Sequence, residues 1–296
     1  MARRLRLALA AALLACSSAV AVAQIAQAAQ SVQVPSLDAP SGTAVVLPGH
    51  WFAAAGTVQA PAMVLMHGCG GAFDGLGRLA SRYTEQAAGL NALGIHVLVT
   101  DSFTPRGEKE LCTQRLGQRQ VTQLQRRRDA LGALQWLAAQ PGVDRLRLGL
   151  LGWSNGGSTV LAALNRRHVE VAAAPVRPSL AVAFYPGCEA ELQRGFEPTA
   201  PLLMLLAELD DWTPAAPCTA LSLGTQTSPT GHAVQWESYA GAYHGFDGTA
   251  PLRLRRDVPG GVNPGQGVHV GAEPTARAAA ALRLEEFLQD TWRLKR

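Results

Sequence analysis

The chain has 296 residues, of which 48% are hydrophobic and 16% charged, with a formal net charge of +4. That composition is enough for a sizeable core in one large domain or two small ones, and it excludes a disordered chain. Three of the positive charges, Arg3, Arg4 and Arg6, sit at the extreme N-terminus and leave about +1 without them, too little clustered base for nucleic acid to be the main partner.

The N-terminus reads as a targeting segment, residues 1–23. "MARRLR" is a basic start, "LALAAALLA" an apolar stretch of signal-peptide length, and "AVAQ" (21–24) offers a cleavage point near Ala23/Gln24. The run is too short and too rich in alanine for a membrane anchor, so no stable membrane insertion is expected after cleavage. "LLAC" (13–16) also loosely resembles a lipoprotein box, which would make Cys16 a lipidated terminus. The expectation is a secreted or periplasmic protein.

Residues 24–42 form a polar, proline-bearing lead-in, and the domain is expected over 43–296. "TAVVLP" (43–48) and "AMVLMH" (62–67) are short apolar runs bounded by Pro and Gly, hence strands. Residues 77–94 have helical spacing and end in Gly94. "IHVLVTD" (95–101) is the next strand. Residues 119–144 read as a long helix with Leu124, Leu131, Leu134 and Leu137 on one face, stopped by Pro141-Gly142. Within it "LQRRRDA" (124–130) is the one basic run, read as a solvated helix face. Then come a strand (146–153), a helix (156–167), strands at 179–186, 201–208 and 233–241, and a closing helix over 273–294. Strands that are apolar nearly throughout, alternating with amphipathic helices, mean one α/β domain: a mostly parallel sheet with helices on both faces.

In such a sheet the active site lies beyond the carboxyl ends of the strands. The segments there are "HGCGG" (67–71), "DSFTPRG" (101–107), "GWSNGG" (152–157), "YPGCE" (185–189), "ELDDWTP" (208–214) and "YHGF" (243–246). In "GWSNGG", Gly152 and Gly156 flank Ser154 between a strand and a helix. Alone G-x-S-x-G is weak; in that context it describes a nucleophile on a sharp turn. The helix after it points free N–H groups toward developing negative charge.

A serine needs a base, and the base an orienting acid. Of the later histidines, His168 sits among arginines at a helix end and reads as surface, His232 precedes a strand, and His269 lies in a glycine-rich loop. His244 follows a strand and is the candidate base. Asp210 and Asp211 both follow "PLLMLLAE"; one orients His244 and the other faces solvent. The first oxyanion donor is the backbone N–H of Asn155, directly after the nucleophile. His67 reads as a loop-bracing residue. Trp153 and Trp212 wall a pocket or belong to the core.

Cys69, Cys112, Cys188 and Cys218 remain after export, an even number in an oxidising compartment. They have no metal-site spacing. Each lies in or after a strand-end loop, and sequential strands are usually neighbours. The expected pairs are Cys69–Cys112 and Cys188–Cys218.

"GWSNGG", "ELDDWTP" and "YHGF" together resemble the dienelactone hydrolase family of α/β-hydrolases, over roughly residues 43–292. The resemblance implies an α/β-hydrolase fold and a hydrolase without a cofactor. The family pattern G-x-x-D-x-x-x-P maps its acid onto Asp210, with Pro214 in place and Ala207 where glycine is usual. Its nucleophile is often cysteine; Ser154 holds that position here, which suits general ester chemistry better than dienelactone itself. By the same resemblance the second oxyanion donor is the N–H of Cys69, with Gly68 as the fallback. The expected activity is cleavage of a small-molecule carboxylic ester through Ser154, His244 and Asp210. The alternatives are a peptidase or thioesterase on the same triad, or a non-catalytic binding protein of this fold.

Overall fold

The computed structural model describes residues 29–56, 59–225 and 230–294. The targeting segment, its cleavage point near Ala23/Gln24 and Cys16 lie outside the described residues. In chain order the elements are β1 (Gln30–Pro35), β2 (Val46–Phe52), β3 (Ala60–Met66), α1 (Ser81–Ala92), β4 (His96–Thr100), α2 (Gln123–Ala138), β5 (Val143–Trp153) and α3 (Asn155–Leu164). There follow α4 (Val169–Ala172), β6 (Leu180–Phe184), α5 (Glu189–Arg194), β7 (Leu202–Ala207), α6 (Ala216–Gly224), β8 (Val234–Tyr239), β9 (Arg253–Arg255), β10 (Val268–Val270) and α7 (Pro274–Trp292).

Eight strands form one sheet in the order β1-β2-β4-β3-β5-β6-β7-β8. β2 runs antiparallel to both neighbours, and the pairs from β4 to β8 are parallel. The inner strands are buried on both faces, which is why they read as continuous apolar runs. Successive side chains of β3 alternate between two cores. Val64 and Met66 pack with Leu134, Leu137, Val160 and Leu161 of α2 and α3. Met63 and Leu65 pack with Leu90 of α1 and Leu284 and Leu288 of α7. The parallel register sets Met66 beside Thr100 and Gly152, and Trp153 beside Phe184. The loops after β3, β4, β5 and β6 therefore leave the sheet at one edge.

Several features differ from the sequence reading. The lead-in contains β1, whose Val34 is fully buried, while Pro35 is tolerated at the sheet edge. The helix expected over 119–144 is shorter. A capping box between Thr122 and Gln125 starts α2, and Val143 already belongs to β5. Leu124 lies off the buried stripe and is exposed. The basic run is not a solvated face: Arg126 and Arg127 are buried, because α2 is covered by β1 on one side and by α3 on the other. Gly132 marks the tightest point, where a Cβ would stand 2.4 Å from the Pro35 carbonyl oxygen. His168 is also buried rather than surface, its Nε2 lying 3.0 Å from Glu191 Oε1.

There are two disulfides: Cys69–Cys112 joins the loops after β3 and β4, and Cys188–Cys218 joins the loop after β6 to α6, rather than to a loop, with Cα separations of 5.0 and 5.1 Å. They are consistent with an extracellular or periplasmic protein. The second closes a segment 30 residues long in sequence. The double substitution Cys188→Ala/Cys218→Ala should lower unfolding free energy by about 2–4 kcal/mol. Urea denaturation measures this, and an unmoved transition would mean the bond contributes nothing to folding.

Candidate active site

Ser154 stands between β5 and α3 with φ 53° and ψ −117°. That left-handed conformation is strained for a residue with a side chain. The turn persists because its neighbours fit no other residue. A Cβ on Gly152 would lie 2.3 Å from the Gly156 carbonyl oxygen, and one on Gly156 would lie 2.0 Å from that of Met66. The Ser154 N–H donates to the Phe184 carbonyl at 2.9 Å, which ties the turn to the end of β6.

Ser154 Oγ lies 2.9 Å from His244 Nε2. On the other side of the ring, His244 Nδ1 lies 2.8 Å from Asp210 Oδ2. All three residues are buried. Asp210 is itself fixed: its Oδ1 accepts the N–H groups of Trp212 and Thr213 at 2.9 and 2.8 Å. The Thr213 hydroxyl lies 3.1 Å from Asp210 Oδ2. Asp211 does not face open solvent. It accepts the backbone N–H of His269 at 2.8 Å and approaches that residue's Nδ1 at 2.7 Å. Each aspartate thus has its own histidine, and Asp210 is the one on His244.

The backbone N–H groups of Cys69 and Asn155 have no protein acceptor among the described residues. Asn155 opens α3, where the first N–H groups lack helical partners. The Gly68 N–H, by contrast, is engaged by the Tyr83 hydroxyl at 3.3 Å. His67 braces this loop, as its motif suggested. Its Nε2 accepts the Ser102 N–H at 3.1 Å, and its Nδ1 lies 2.8 Å from the Gly68 carbonyl oxygen. Burial, then the nearby Arg126 charge, holds its pKa well below the ordinary histidine value, so the ring is neutral.

A partly buried polar cluster lies behind His244. Asp247, three residues past His244, accepts from the Trp153 indole at 2.7 Å and from the Tyr185 hydroxyl at 2.5 Å, and it pairs with Arg82. Burial pushes the Tyr185 phenol well above its ordinary pKa, so it stays a donor. The Tyr185 ring packs 4.6 Å from the His244 ring, and Trp212 packs 4.7 Å from it. Trp153 is therefore a core residue with a polar anchor, and Trp212 is the aromatic wall. Sequence reasoning missed Asp247, Tyr185 and Thr213. Tyr185 and Thr213 lie in strand-end segments the sequence marked, but without a role; for Asp247 the signal was its short spacing from His244, which does not distinguish a brace from a surface acid.

Ser154, Asn155, Cys69 and Trp212 line an open cavity of about 970 Å³. Its walls are mostly apolar, with Leu116, Pro214, Pro217, Val258 and both disulfides contributing. No group of three or more metal-ligating side chains occurs among the described residues.

A model of the dienelactone hydrolase family matches residues 51–291. A search of curated proteins finds none that matches the chain. Among solved structures, the chain is similar to Thermogutta terrifontis esterase 2 phosphorylated by paraoxon, at 16% identity and TM-score 0.61 over 92% of this chain and 97% of that one. It is also similar to a dienelactone hydrolase-like promiscuous phosphotriesterase from metagenomic libraries, at 18% identity and TM-score 0.63 over 90% and 99%. At these identities the likeness is one of fold.

The approach of Gly156 to the Met66 carbonyl leaves no room for a methyl group. Gly156→Ala should therefore displace α3 from β3 and lower soluble yield or activity by about tenfold or more. A variant with wild-type activity and wild-type thermal stability would contradict that packing.

Proposed function

The chain belongs to the dienelactone hydrolase family, and we propose that it is an exported serine hydrolase that cleaves carboxylic esters through an acyl-enzyme. The single observation that carries the reading is the chain of contacts from Ser154 Oγ to His244 Nε2 (2.9 Å) and from His244 Nδ1 to Asp210 Oδ2 (2.8 Å). Export is supported by the two disulfides and by the targeting character of residues 1–23.

The chemistry follows from the groups in place. Asp210 accepts a hydrogen bond from the Nδ1–H of His244, which fixes that tautomer and leaves Nε2 as an acceptor for the Ser154 hydroxyl. Ser154 Oγ attacks the acyl carbon as its proton passes to Nε2. The carbonyl oxygen becomes an oxyanion and takes hydrogen bonds from the N–H groups of Cys69 and Asn155. The imidazolium, stabilised by Asp210, returns its proton to the leaving alcohol as the tetrahedral intermediate collapses. Water deprotonated by the same Nε2 then attacks the acyl-enzyme, and Ser154 leaves with the proton. The largely apolar cavity suits esters with apolar acyl or alcohol groups.

Hydrolysis of a panel of p-nitrophenyl and alkyl esters tests the reading. Ser154→Ala and His244→Ala should each lose at least about a thousandfold in kcat/KM while remaining folded. Near-normal turnover in either would sink the mechanism. Asp210→Asn should lose far more than Asp211→Asn, and the reverse order would move the acid.

A further inference from the structure

Arg126 has no side-chain exposure, yet among the described residues no carboxylate lies within ion-pair distance of it. It occupies the buried stripe of α2 that continues through Ala130, Ala133, Leu134 and Leu137. A leucine or methionine at such a position would pack without desolvating a charge. Burial pushes the guanidinium down to about 10, so it remains a cation at neutral pH. Its Nε has no hydrogen-bond partner, and its plane lies over Phe103, with the central carbon 5.1 Å from the ring centroid.

The two remaining nitrogens reach two different loops. One donates to the His67 carbonyl oxygen at 2.7 Å. The other donates to the Asn155 side-chain oxygen. His67 leads into the loop that carries the Cys69 N–H, and Asn155 carries the other free N–H itself. One rigid, planar cation therefore spans both sources of the oxyanion donors. We propose that Arg126 is a positioning residue of the oxyanion hole, bridging the β3 loop to the start of α3 and biasing the site toward negative charge. The inference rests on the serine hydrolase reading above.

Its consequence is a defect confined to states that carry an oxyanion. The test compares wild type with Arg126→Gln, Arg126→Lys and Asn155→Ala. Each is measured for kcat and KM per active site, titrated with a fluorophosphonate, and for inhibition by a phenylboronic acid, whose serine adduct is tetrahedral and anionic. In Arg126→Gln, kcat per titrated site should fall at least about tenfold while KM changes less than about threefold. Boronate affinity should fall in parallel, and Arg126→Lys should recover part of both. Asn155→Ala keeps its backbone N–H and cuts only one end of the bridge; its kcat should fall about threefold or more. Unchanged kcat per titrated site in Arg126→Gln, even with a lower Tm, would reduce the residue to a structural brace and overturn the proposal. If Arg126→Gln does not fold, unchanged kcat and boronate affinity in Asn155→Ala overturns it instead. A wild-type protein inert to both esters and fluorophosphonate would defeat the hydrolase reading, a different result.

Discussion

The structure turns on the close approach of α3 to the ends of β3 and β5. Where a Cβ of Gly156 would sit, the carbonyl oxygens of Met66 and His67 lie only 2.0 and 2.6 Å away. That contact forces Ser154 into a left-handed conformation and lifts its hydroxyl out of the sheet. It also brings the first turn of α3 against the loop that follows β3, so the Asn155 and Cys69 N–H groups border one cavity. The parallel register delivers Asp210 and His244 to the same edge.

Around this turn, charge is arranged asymmetrically. On the side of α1 and α7, the half-buried carboxylate of Asp247 gathers Arg82, Tyr185 and Trp153 behind His244. On the side of α2, the buried cation of Arg126 stands beneath the two loops with free N–H groups. In the interior such charges are weakly screened. His244 itself is held by the carboxylate of Asp210, and its ring packs against Tyr185, which Asp247 anchors. The disulfides brace the segments around this arrangement: Cys69–Cys112 at the loop after β3 and Cys188–Cys218 near the Asp210 loop.

Much of this was legible because the informative residues are local. Apolar runs fixed the inner strands, and G-x-S-x-G between a strand and a helix located the turn. Segments that follow neighbouring strands gathered the four cysteines into the pairs that the structure contains, although Cys218 lies in α6 and not in a loop. What stayed hidden depends on contacts distant in sequence. β1 looked polar because an edge strand buries only one of its side chains fully, Val34. Arg126 looked solvent-facing because composition cannot show that β1 and α3 cover its helix. Its spacing four residues before Ala130, on the apolar stripe, was the available signal. Asp210 and Asp211 could not be separated by sequence position, since each has a histidine and the partners are 34 and 58 residues away.

The most direct measurement is the mass of the intact protein after treatment with a fluorophosphonate, followed by peptide mapping. Activation of one serine by His244 predicts a single adduct, located on Ser154 and formed at the rate at which ester hydrolysis is lost. His244→Ala should abolish that adduct. No labelling of the folded protein, or labelling on another residue while ester hydrolysis persists, would contradict the assignment of Ser154 as the nucleophile.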